Sequence, residues 1–106
     1  MAWIILFIAG LLEVVWAAAM KQSDGFTRLQ PSIVTLVAML GSFSLLAWSM
    51  RVLPLGTAYT IWTGIGAIGA FLVGVMFMGE SLTMMRLLAA GLIVGGLVLM
   101  RLSATA

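Results

Sequence analysis

Residues 3–20 read WIILFIAGLLEVVWAAAM, an apolar run that is interrupted by one charged residue, Glu13. The run is close to the ~20 residues that an α-helix needs to cross a ~30 Å hydrocarbon core. At ~1.5 Å of rise per residue, Glu13 lies about 15 Å beyond Trp3 and near the bilayer midplane. No Lys or Arg precedes the run, as a signal peptide would require, so we expect this segment to be a retained membrane-spanning helix.

Three more apolar segments follow, separated by short polar stretches. Pro31 suits the first turn of the second helix, and Pro54 interrupts the chain before the third. Helices satisfy their own backbone polar groups in lipid, which favours an all-α membrane protein. We expect residues 1–106 to form a single four-helix transmembrane bundle. The predicted helices lie at residues 3–20, 31–50, 57–78 and 84–102.

The composition of the whole chain agrees with a membrane protein. It is 64% apolar and 8% charged, against about 45–50% and 25% in typical soluble domains. The net charge of +2 is too small to indicate a nucleic-acid ligand. The absence of cysteine and histidine excludes disulfides, zinc sites and histidine-based catalysis. We therefore expect no metal, no cofactor and no enzymatic activity.

The distribution of Lys and Arg leaves the orientation of the helices open. Arg51 and Arg101 belong to one end of the bundle, whereas Lys21, Arg28 and Arg86 belong to the other. This three-to-two division almost cancels the positive-inside signal. Either one orientation is set by a single charge, or copies insert both ways and pair antiparallel.

Glu13 is the strongest candidate for a functional side chain. An ionised group at the midplane costs on the order of 2.5–3.5 kcal/mol on insertion scales, so acids at this depth are usually functional. The alternative is a protonated glutamate that links two helices through a hydrogen bond. Gly10 and Trp16 share its helix face at i−3 and i+3. We expect Gly10 to leave space beside the carboxylate and Trp16 to supply an aromatic wall with an N–H donor.

The third segment carries a polar and aromatic stripe. Tyr59, Trp62, Thr63 and Gly66 fall at i, i+3, i+4 and i+7. Gly64 and Gly66 lie in the middle of this helix, where each costs about 1 kcal/mol of helix propensity relative to alanine. Either a neighbouring helix packs closely there or the segment bends.

The second and fourth segments differ in polarity. Ser42 lies near the middle of the second segment, where its hydroxyl could bond a carboxylate or its own backbone at i−4. The fourth segment has no central polar residue but contains Gly91 and Gly95 in GxxxG spacing, a contact motif of transmembrane helices. This pattern favours a role in assembly.

Together these features resemble the small multidrug resistance (SMR) transporters of prokaryotes along the whole chain. The motifs are AGLLEVVWAAAMK at 9–21 and LPLGTAYTIWTGIGAIGA at 53–70. WTGIGA at 62–67, GFTRL at 25–29 and Ser42 are most similar to the guanidinium-exporter branch.

The resemblance implies a multi-pass protein of the cell inner (plasma) membrane that forms an antiparallel, dual-topology homodimer. It also implies proton-coupled antiport, in which guanidinium and small guanidinyl cations are exported through a site shared by the two Glu13 side chains. Such a pair can hold protons or a cation, but not both. The residues that match the surroundings of this site are Gly10, Trp16, Ser42, Tyr59 and Trp62. The resemblance further implies that Gly64 and Gly66 form a helix hinge and that the fourth helix, with Gly91 and Gly95, holds the dimer together.

Three other interpretations stay open. The sister SMR branch exports quaternary ammonium and lipophilic aromatic cations, which aromatic faces would bind. A passive cation pore would also use an intramembrane acidic ring. A non-transporting subunit that packs against a larger partner would account for the GxxxG helix.

Overall fold

The computed structural model describes residues 1–103, which form four α-helices. All four are long and apolar enough to cross a membrane. The expected all-helical architecture with four membrane-capable segments is therefore confirmed. The helices are α1 (Ala2–Gln22), α2 (Leu29–Ser49), α3 (Leu55–Phe77) and α4 (Met84–Ser103).

α1 begins one residue and α2 and α3 begin two residues earlier than the sequence predicted, and a proline accounts for the difference in α2 and α3. α2 starts at Leu29, which puts Pro31 in its first turn, where a missing N–H removes no intrahelical bond. α3 starts at Leu55 directly after Pro54, whose backbone is extended (φ −62°, ψ 153°). Gly56 is therefore helical and does not belong to the preceding turn.

The end of α3 turns back on itself. The backbone N–H groups of Met78 and Glu80 both donate to the carbonyl of Gly74, at 3.1 and 3.0 Å. Gly79 lies between them at φ +71°, a left-handed conformation that glycine adopts without steric cost. The chain therefore returns toward α3 before α4 begins.

The helices are arranged in a flat layer. α1 packs against both α2 and α3, and α3 also packs against α4. The extents are 42 × 35 × 17 Å, and the smallest is less than two helix diameters of about 10–12 Å. α4 lies at the edge of the layer, and none of its residues is buried within the described chain.

Glycines bring α1 and α3 close together. A Cβ atom added to Gly10 would lie 2.6 Å from Cγ2 of Ile65, and one added to Gly69 would overlap the side chain of Val14. Small residues at such positions let the backbones of membrane helices approach each other. The polar groups in the middle of α1 therefore lie directly against α3.

Candidate functional site

Glu13 lies near the middle of α1 with its carboxylate against the backbone of α3. The side chain is partly buried. A Cβ atom added to Gly66 would overlap the carboxylate of Glu13 and would lie 2.7 Å from its Cγ. The missing side chain at Gly66 therefore provides the space that the carboxylate occupies.

Two buried polar atoms near the centre of α1 have no hydrogen-bond partner among residues 1–103. They are Oε1 of Glu13, an acceptor, and Nε1 of Trp16, a donor. Buried polar side-chain atoms usually have a partner, so each exception needs an explanation. The two residues are one helical turn apart on the same side of α1. This part of α1 could hold a polar or charged group from outside the chain.

Ser42 links three helices beside this region. Its hydroxyl donates to the carbonyl of Ala9 in α1 at 2.7 Å, and Nε1 of Trp62 in α3 donates to the Ser42 Oγ at 3.0 Å. Both Ser42 and Trp62 are buried. The sequence had suggested a carboxylate or the i−4 carbonyl as the partner of Ser42, and the structure has it bonded to neither. The acceptor, Ala9, lies one turn before Glu13 in α1.

A row of aromatic rings connects the three helices. The ring centroids of Trp16 and Phe43 are 6.2 Å apart, those of Phe43 and Trp62 are 5.7 Å apart, and those of Trp62 and Tyr59 are 5.5 Å apart. These spacings are in the range of favourable aromatic pairs. Our sequence interpretation did not single out Phe43, although it adjoins Ser42 in α2. The row contains the predicted Trp16, Trp62 and Tyr59, so the structure brings these three together.

The other predicted glycines lie in different surroundings. Gly10 does not border open space, because Ile65 packs against it. A Cβ atom added to Gly64 would overlap Leu97 of α4, so close helix packing accounts for this mid-helix glycine. α3 is a continuous helix through Gly64 and Gly66, and their role as a hinge stays a prediction. Gly91 and Gly95 contact nothing within 4 Å of an added Cβ in the described chain, and their dimer contact also stays a prediction.

The four membrane-capable helices indicate a multi-pass membrane protein. Polar groups lie between these helices, namely the partly buried carboxylate of Glu13 and the buried Ser42–Trp62 pair. Acids within a membrane span most often mark ion or substrate pathways. Residues 1–93 match the family described as Small Multidrug Resistance protein. The chain belongs to this family of transporters.

Three curated relatives, each named Guanidinium exporter, are similar along nearly their whole length. The relative from Citrobacter freundii is 57% identical over 103 residues, which cover 97% of this chain and 98% of the relative. The relative from Salmonella typhimurium (strain LT2) is 59% identical over 104 residues, covering 98% and 99%. The relative from Yersinia pseudotuberculosis serotype I (strain IP32953) is 56% identical over 103 residues, covering 97% and 99%. The resemblance to SMR transporters, and to guanidinium exporters among them, is confirmed.

Proposed function

We propose that this protein exports guanidinium and small guanidinyl cations in exchange for protons, with Glu13 as the group that binds both. The observation that carries the proposal is the buried Oε1 of Glu13 near the centre of α1, which has no hydrogen-bond partner among residues 1–103. The names of the relatives support guanidinium as the substrate.

The chemistry of the site suits guanidinium. A guanidinium ion is planar and carries several N–H donors, which match the two oxygens of a carboxylate. A serine hydroxyl has one proton and two lone pairs. Ser42 gives its proton to Ala9 and accepts one bond from Trp62, so one lone pair of this buried hydroxyl is unused, and an N–H of the cation would reach it only after the neighbouring side chains move. Glu13 would balance the charge, and Ser42 would help to orient the ion.

Exchange follows from the use of one group for two ligands. A protonated carboxylate does not attract a cation, so Glu13 holds either a proton or guanidinium. The binding site would switch from one side of the membrane to the other only while Glu13 holds a proton or a cation. Protons that enter on one side then drive cations out on the other.

We further propose that two chains form an antiparallel, dual-topology homodimer in the inner (plasma) membrane and share their Glu13 side chains. The almost balanced Lys and Arg distribution supports insertion in both orientations. None of the residues of α4 is buried within residues 1–103, and Gly91 and Gly95 lie open on its surface, which supports a helix–helix contact with a second copy.

Export of quaternary ammonium or lipophilic aromatic cations is the second candidate function. The row of Trp16, Phe43, Trp62 and Tyr59 favours it, because aromatic faces attract cations that have no N–H donors.

An uptake assay in proteoliposomes with an imposed proton gradient distinguishes the two candidate functions. Labelled guanidinium is one substrate and tetraphenylphosphonium is the other, with protein-free liposomes as the control. The proposal expects uptake of guanidinium that collapses when a protonophore removes the gradient. Uptake of tetraphenylphosphonium without guanidinium would assign the protein to the second function, and single-channel current steps would indicate a pore.

A further inference from the structure

A second carboxylate, outside the membrane-spanning helices, already holds a guanidinium group. Oε1 of Glu80 forms an ion pair with Nη2 of Arg86 at 3.2 Å. The Glu80 carboxylate also packs against α3, because a Cβ atom added to Gly74 would overlap it. The backbone bond from Glu80 to Gly74 holds this part of the turn in place.

Arg86 has two further contacts that do not depend on Glu80. Its Nη1 donates to the carbonyl of Ser81 at 2.9 Å. Its guanidinium carbon lies 5.2 Å from the centroid of the Phe71 ring, within the distance of a cation–π interaction. If another cation took the carboxylate, Arg86 would keep both of these partners.

Glu80 lines a cavity that lies on the same helix faces as the Glu13–Gly66 contact. The cavity has a volume of about 140 Å³ between α1 and α3, and its lining includes Ala17, Ala70, Lys21 and Glu80. Ala17 follows Glu13 by four residues and Ala70 follows Gly66 by four, so the cavity begins one turn beyond the carboxylate. A water molecule takes about 30 Å³ of liquid volume. The cavity is therefore large enough for several water molecules, and so for a small planar cation.

We propose that Glu80 is a second docking site for the transported guanidinium-type cation, and that the Arg86 side chain pairs with this carboxylate when the cation is absent. The inference rests on the proposed function and extends it. The Arg86 head group has the same chemistry as the expected substrate, and the structure gives it a single N–O contact with Glu80. A free guanidinium ion can instead use both carboxylate oxygens.

The surroundings of Glu80 make this a site of transit and not of tight binding. The two side chains of the ion pair are 38% (Arg86) and 46% (Glu80) exposed, and exposed pairs exchange partners at little cost in free energy. Lys21 adds a second positive charge to the lining of the cavity. Arg86 competes as a tethered ligand at high effective concentration. A cation that docks here is therefore released readily.

A direct test uses the Nε–Hε NMR signal of Arg86 in ¹⁵N-labelled protein in nanodiscs, assigned with Arg86→Lys. The protein carries Glu13→Gln, so that binding at the central site does not contribute. We expect guanidinium chloride to move this signal in a saturable way at millimolar concentrations, and tetramethylammonium chloride to leave it in place. Glu80→Gln should abolish the response. An equal shift with both salts, or a shift that survives Glu80→Gln, would overturn the proposal.

Transport kinetics provide a test that a purely structural ion pair would fail. Glu80→Gln removes the docking carboxylate, and we expect the KM for guanidinium to rise about two- to five-fold, the range of an exposed charge interaction. Arg86→Gln removes the tethered competitor, and we expect KM to fall by a similar factor. Asp24→Asn, in the loop at the same end of the bundle, is the matched control and should leave KM unchanged.

The opposite direction of the two effects is the decisive result. If the Glu80–Arg86 ion pair is only structural, Glu80→Gln and Arg86→Gln both break it. The two variants should then change KM in the same direction or reduce only the amount of active protein. Either result would refute docking at Glu80 while guanidinium uptake itself persists. Wild-type protein that takes up no guanidinium would contradict the proposed function instead. The NMR titration would still show whether guanidinium binds at Glu80.

Discussion

Gly66→Ala is the substitution that acts most directly on the carboxylate of Glu13. The new methyl carbon would overlap the carboxylate and would lie 2.7 Å from Cγ of Glu13. Carbon atoms in ordinary contact are about 3.5–4.0 Å apart. The Glu13 side chain must therefore retreat by at least ~1 Å, or α1 and α3 must separate by a similar distance.

The effect on stability should be small compared with the effect on transport. Alanine gains about 1 kcal/mol of helix propensity over glycine, and overpacking of a close contact typically costs about 1–3 kcal/mol. The two terms partly offset each other, so we expect a folded protein. A misplacement of about 1 Å in a reacting site can cost on the order of 100-fold in rate. We expect guanidinium uptake to fall about 10- to 100-fold.

The assay is proton-driven guanidinium uptake in proteoliposomes with matched amounts of folded protein. Gly56→Ala is the control, because Gly56 also lies in α3 and a Cβ atom added there contacts nothing within 4 Å. This variant should transport like the wild type. Glu13→Asp shortens the acidic side chain by one methylene group, so the double variant Glu13→Asp/Gly66→Ala should recover part of the loss through relief of the overlap.

Equal uptake by Gly66→Ala and Gly56→Ala would refute the reasoning, since the overlap at Glu13 would then have no consequence for transport. A double variant that is no better than Gly66→Ala alone would place the damage elsewhere in the α1–α3 interface.

Four further predictions concern the same site and its assembly. Glu13→Gln should abolish proton-driven uptake while the protein keeps its wild-type elution volume, and substantial uptake would remove Glu13 from the mechanism. Guanidinium affinity should weaken as pH falls, because a protonated Glu13 does not pair with a cation; an affinity that is flat with pH would favour a pore. Ser42→Ala leaves Nε1 of Trp62 without its acceptor and should lower the free energy of unfolding by about 1–3 kcal/mol. An unchanged thermal melt would show that the Trp62–Ser42 hydrogen bond contributes nothing to stability. A C-terminal reporter should be active on both sides of the membrane. Two or three lysines added to the loops at one end should force a single orientation and abolish activity, and co-expression of a copy with the opposite orientation should restore it. Full activity of the single-orientation variant alone would contradict dual topology.

The helices could be predicted from the sequence because each depends on a local property. The length of an apolar run decides whether it can span a bilayer, and proline and glycine mark where such a run is interrupted. The depth of Glu13 also follows from its position along one helix. The predicted starts at 31 and 57 were two residues late, because Pro31 is tolerated in a first turn and Pro54 stands immediately before α3.

The contacts of the site could not be predicted, because they depend on which faces of separate helices meet. The pattern Gly64–Ile65–Gly66 allows either a bend or close packing, and the sequence alone does not distinguish them. Ser42 has several possible acceptors within reach, and its actual partner, Ala9, is 33 positions away along the chain. The position of Glu80 over α3 likewise depends on the left-handed turn at Gly79.

The two mid-helix glycines of α3 connect the candidate site to the edge of the bundle. Residues two apart on a helix point about 200° away from each other, since each residue turns by about 100°. Glu13 approaches the backbone of α3 at Gly66, and Leu97 of α4 approaches it at Gly64 from the opposite side. If the proposed exchange of a proton for a cation changes the space that the Glu13 carboxylate needs, we expect α3 to shift against α4. Because none of the residues of α4 is buried within residues 1–103, we expect the occupancy of Glu13 to affect whatever packs on the outer face of α4, and in the proposed dimer this is the second copy.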